Sequence, residues 1–97
     1  MNAEAIADTY GIRLSRINEA VTLANRADVE IVDLLAYVEG RTLQVEVCIS
    51  LPSGEIGFFG PRFVRENGIW HLLGIAYSGD TEENQRQTRD ALGCPEL

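Results

Sequence analysis

The chain has 97 residues, with 15 Asp and Glu against 8 Arg and no Lys, giving a formal charge of -7. It reads as one acidic domain over 1–97, and an apolar share of 45% beside 24% charged residues argues against a disordered chain and against a fibrous repeat. No apolar run approaches the roughly 20 residues that cross a bilayer, and MNAEAIADTY lacks the basic and apolar regions of a secretory signal. A cytoplasmic protein without a membrane anchor is the expectation, with Cys48 and Cys94 as thiols.

Ala3, Ile6, Ala7, Tyr10, Leu14, Ile17, Val21 and Ala24 recur at three- and four-residue spacing, the stripe of an amphipathic helical region over 2–27. Gly11 interrupts it, either on the solvated side of one long helix or as a turn between two short ones. From Thr42 to Leu51 the odd positions are all apolar and the even ones small or polar, the alternation of a half-buried strand. Glu39-Gly40, Ser53-Gly54 and Asn67-Gly68 each separate strand-like runs by about two residues. They predict a four-stranded antiparallel meander within 29–78, with strands near 30–38, 41–51, 55–65 and 69–77. The alternative for 28–38 is a third helix capped by Asp28. Asp80 followed by Glu83 resembles a capping box, opening a helix within 80–93 that Gly93 stops and Pro95 follows. The fold class is therefore α+β: an N-terminal amphipathic helix packed on a four-stranded antiparallel meander, with a short polar C-terminal helix.

Two-residue loops set a register, pairing Val38 with Arg41, Pro52 with Glu55 and Glu66 with Ile69. One face then collects Val32, Leu34, Val45, Val47, Ile49, Ile56, Phe58, Leu73, Ile75 and Tyr77, a core for the first helix to cover. The other collects Asp33, Leu35, Tyr37, Glu46, Phe59, Phe63, Arg65, Trp70 and Leu72. The C-terminal helix has one large apolar residue, Leu92, and cannot shield that second face. Phe59, Phe63, Trp70 and Leu72 are thus expected to stay partly uncovered, with Arg65 across from Trp70 as a cation–π pair. A slip of one residue would exchange the faces.

Chemistry finds few footholds. His71 is the only histidine and the two cysteines lie far apart, so no metal-ligand spacing exists. The glycine-rich stretch Gly54–Gly60 lacks the Gly-Lys-Ser/Thr ending of a phosphate loop, and Pro61 beside it reads as an edge-strand mark. Asp33 opposite Glu46 would bring two carboxylates together, which either shifts one of them or signals a different loop length. No catalytic residue, metal or cofactor is assigned, and the chain is taken as no enzyme.

Residues 3–22, AEAIADTYGIRLSRINEAVT, place Ala7, Gly11 and Ile17 at small, turn and buried positions, with Ile6, Tyr10, Ile12 and Ala20 at apolar ones. In this they resemble the helix-turn-helix motif of DNA-binding proteins. The resemblance implies that Arg13, Ser15, Arg16 and Asn18 project toward bases and phosphates, making a DNA-binding regulator the alternative function. The overall charge opposes duplex binding. The leading expectation is a small acidic protein-binding module that occupies another protein's surface through Tyr37, Phe59, Phe63, Arg65, Trp70 and Leu72, edged by Asp33 and Glu46. Toxin-immunity proteins and phage-encoded blockers of host defence enzymes are of this general build. A nucleic-acid enzyme or toxin would meet the acids Asp28, Glu30, Asp33, Glu39, Glu46 and Glu55 with a basic groove. A homodimer is the other occupant of such a face.

Overall fold

The computed structural model describes residues 2–79, 81–95 and 97. Two helices, α1 (Ala3–Tyr10) and α2 (Leu14–Arg26), precede four strands, β1 (Glu30–Glu39), β2 (Thr42–Ser50), β3 (Ile56–Glu66) and β4 (Ile69–Ser78), and α3 (Glu82–Leu92) follows. The strands form one antiparallel sheet in the order β1-β2-β3-β4. The expected α+β meander is the fold of the chain.

Gly11 is a turn and not a residue of one long helix. Its φ of 71° closes α1 in the left-handed region that suits glycine, and the N–H groups of Gly11 and Ile12 both reach the Ala7 carbonyl, at 2.9 and 3.2 Å. At the other end the Asn2 side chain accepts from Ala5 N at 2.7 Å. Residues 30–39 are strand and not a third helix: Asp28 takes a left-handed φ of 55° after α2 and caps nothing. The N-cap of α3 is Thr81, whose hydroxyl accepts from Asn84 N at 3.1 Å, while Asp80 lies outside the described residues. Gly93 ends α3 as expected, with φ 72°.

The register departs from expectation in each hairpin, and the departures decide which side chains are inside. In the first, Glu39 pairs with Thr42, so Gly40-Arg41 is the turn. This slides β1 by two positions and preserves its faces, but it sets Asp33 opposite Cys48 and Glu46 opposite Leu35, not the two carboxylates together. In the second, Ser50 pairs with Ile56 across the loop 51–55, whose backbone bonds run from Leu51 N to Glu55 O and from Gly54 N to Leu51 O, both 2.8 Å. A five-residue loop in place of two shifts the pairing by one residue and turns β3 over. Phe59 and Phe63 consequently face the helices, 0% and 2% exposed, and Phe58 turns to the other side. The third hairpin keeps the Asn67-Gly68 turn, both residues at positive φ. Its pairing shifts between Arg62 and Phe63, leaving Leu73 as an extra residue on β4. Trp70 and Leu72 below that bulge, and Ile75 and Tyr77 above it, then all share the helix side and are half-buried in the core.

All three helices pack on that one face. Ile6, Ile17, Ala20 and Ala24 of α1 and α2 join Leu43, Val45, Val47, Ile49, Phe59 and Phe63 in one core. The polar α3 also lies there, on β3 and β4, contributing Leu92 and the fully buried Thr88. Thr88 returns its hydroxyl to Asn84 O at 2.8 Å, and its Oγ1 stands 2.1 Å from where a Cβ on Gly57 would be. A glycine at 57 is what admits the helix.

Pro61 is on an inner strand, contrary to its reading as an edge mark. The β2–β3 pairing is interrupted there, between Gln44 opposite Arg62 and Val47 opposite Phe59. The Gln44 amide fills the interruption, donating to Val45 O at 2.7 Å, with Gly60 O and Pro61 O at 3.3 and 3.5 Å. A buried side-chain donor thus serves carbonyls that lose their ladder partners.

Candidate partner-binding surfaces

The sheet face away from the helices carries, by register, Leu35, Tyr37, Ile56, Phe58 and Val64 among its apolar residues. Leu35 and Tyr37 are 40% and 43% exposed. The face is therefore uncovered, but Phe59 and Phe63, expected to be exposed on it, are enclosed on the other side, and its aromatics are Tyr37 and Phe58. Of the residues assigned to it from sequence, Asp33, Leu35, Tyr37 and Glu46 lie on it; Phe59, Phe63, Arg65, Trp70 and Leu72 lie on the helix side. Phe58, Ile56 and Val64 were missed because only the loop length could have revealed the turned strand. The Arg65–Trp70 pair does form, with the guanidinium carbon 5.6 Å from the ring centroid.

Glu46 sits at the centre of the uncovered face, only 7% exposed. Its Oε1 accepts from Tyr37 OH at 3.1 Å and from Ser78 OH at 2.9 Å. Tyr37 is on β1 and Ser78 on β4, so the carboxylate ties three strands together across the side-chain-free Gly60. Hydroxyl donors make its burial tolerable. Burial, followed by the hydrogen bond to Glu46, raises the Tyr37 phenol above its ordinary value. Beside it Cys48 is buried, and desolvation, then Asp33 and Glu46, push its thiol up to about 11. Both cysteines are free, Cys94 exposed. Iodoacetamide at pH 8 should therefore alkylate the exposed Cys94 first, with the buried Cys48, its thiol pushed up to about 11, much slower. Peptide mass spectrometry reads it, and equal rates would contradict this environment.

Charge is unevenly shared. The uncovered face holds Glu30, Asp33, Glu39, Glu46 and Glu66 against one arginine, Arg62. Arginines gather instead where the α1–α2 turn meets the hairpin ends. Arg13 is the N-cap residue of α2 and exposed, as are Ser15 and Asn18; Arg16 is partly buried and pairs with Glu19 at 3.5 Å. A cleft of about 460 Å3 there is lined by Arg13, Arg16, Phe63, Trp70 and His71. A second, of about 350 Å3, is lined by Tyr10, Val38, Arg41, Arg65 and Trp70. Arg41 and Arg65 are neighbours through an Arg65 N–H to Arg41 O bond of 3.0 Å.

Among the described residues no group of three or more His, Cys, Asp or Glu is arranged to hold a metal ion, and no helix is long and apolar enough to cross a membrane. No family model, curated protein or solved structure matches this chain. The class is set by architecture alone, an antiparallel meander with its helices all on one side.

Proposed function

We propose that the chain is a small non-enzymatic protein-binding module, of the inhibitor or immunity type, which acts by laying its uncovered sheet face on a basic protein surface. The observation that carries this reading is the composition of that face. Exposed Leu35, Tyr37 and Ile56 supply apolar area of the kind that marks partner sites on soluble domains. The surrounding acids Glu30, Asp33, Glu39 and Glu66 outnumber Arg62 and favour a cationic partner over a second copy of the same acidic face.

Light scattering should find a monomer. Immobilised chain should retain from its source cells a basic protein that Leu35→Asp and Ile56→Asp lose, with association slowing about tenfold or more between low and physiological salt. These exposed sites should leave thermal stability nearly unchanged. A homodimer broken by Leu35→Asp would overturn the reading, as would retention indifferent to both substitutions.

The α1–turn–α2 unit supports a second reading, the DNA-binding regulator, because Gly11 makes the turn and Arg13, Ser15 and Asn18 face solvent. Glu19, paired with Arg16 on the same helix, weighs against duplex phosphate there.

A further inference from the structure

We infer that the arginine-rich end of the molecule is a site for single-stranded nucleic acid, with Trp70 as its stacking platform. The inference is independent of the sheet-face reading, since it uses the helix side and the hairpin ends. Among the described residues Trp70 alone lines both clefts, and its indole Nε1 donates to Tyr10 O at 2.7 Å, which fixes the ring's orientation. Arg65 lies over the ring and borders only the smaller cleft. The half-buried indole also lines the larger cleft, beside Arg13 and Arg16.

That arrangement alternates a held aromatic plane with cations on either side. A base stacked on an aromatic ring, with backbone phosphates running past guanidinium groups, has the same alternation, and such stacking tolerates any base. Both clefts lie within the roughly 300–1,000 Å3 of small-ligand sites, room for about one nucleotide each. Among the described residues Arg13, Arg41 and Arg65 form no ion pair with a carboxylate, so phosphate need break no ion pair there. An acidic peptide would satisfy the arginines but has no use for an indole set between them. A duplex buries its bases and would leave that ring idle as well.

The test uses the whole chain and its single tryptophan. Titration with a ten-nucleotide oligothymidylate should quench Trp70 fluorescence saturably. Engagement of Arg13, Arg41 and Arg65 should make affinity fall about 20-fold between 50 and 200 mM salt, from a slope near 0.7 per neutralised phosphate. In Arg13→Ala/Arg41→Ala the fall should shrink to about threefold, with thermal melting unchanged because both side chains are exposed. A fluorescently labelled oligonucleotide should also lose affinity for Trp70→Leu while retaining it for Trp70→Phe. Absence of quenching at low salt would overturn the inference. So would binding unaltered in the double-arginine variant, a poly-glutamate that competes as well as oligothymidylate, or tighter retention of a duplex than of a single strand.

Discussion

Phe59→Ala is expected to remove about 3–5 kcal/mol of folding stability, the range for truncating a buried aromatic, whereas Phe58→Ala next to it should cost only about 1 kcal/mol. The two side chains are adjacent in sequence and opposite in fate. Phe59 is fully enclosed beneath the helices, while Phe58 faces the uncovered side, half-buried. For a domain of this size total stability is on the order of 5–15 kcal/mol, so the first change alone should lower the melting temperature by about 15–30 °C. Urea unfolding of both variants measures the difference. Equal losses, or a larger loss for Phe58→Ala, would mean that β3 is not turned over relative to β2.

Gly60→Ala should be comparably severe, about 3 kcal/mol or more. A Cβ at position 60 would lie 2.0 Å from Val45 O and 2.9 Å from Val45 C. The obstacle is backbone on a central strand, which no rotamer change can clear, so the expected cost is at or above the upper end of the usual overpacking penalty. Movement of β2 away from β3 would also strain the Gln44 amide, whose three carbonyl contacts occupy the same interruption, and would pull on Glu46 between Tyr37 and Ser78. By contrast Gly40→Ala, in the first hairpin turn, meets nothing within 4 Å and suffers only from its φ of 61°, a cost of about 1 kcal/mol. The denaturant midpoints of these two variants should be well separated. A mild Gly60→Ala would show that the strands relax apart without penalty.

These two residues also mark where sequence reasoning stops. Periodicity located the helical stripe, and alternation in β2 together with three turn signals located four strands, because each of those patterns is local and repeated. Pairing is not local. Ser53-Gly54 announces a turn, yet nothing in Leu51–Glu55 states that the loop holds five residues and not two. That difference moved Phe59 and Phe63 from the outside to the core. The extra residue Leu73 had a similar effect on β4, bringing Trp70 and Leu72 onto the side of Ile75 and Tyr77. Within the uncovered face, Tyr37, Asp33 and Glu46 were legible because β1 and β2 slid by an even number of positions and kept their faces. The role of Gln44 was not legible at all, since it depends on a gap opposite Pro61 that only the three-dimensional pairing creates.

The two one-residue bulges have a further consequence. Both fall on the outermost strands: Val32 is the additional residue of β1 and Leu73 that of β4. An open sheet with two bare margins is a template for growth by accretion of identical chains, which leads to fibrils. A kink near the start of β1 and another midway along β4 break the straight row of amides and carbonyls that an incoming strand must match. The bulges at Val32 and Leu73, oily and exposed though these side chains are, thereby give both rims a form that is a poor template for a second copy of the chain.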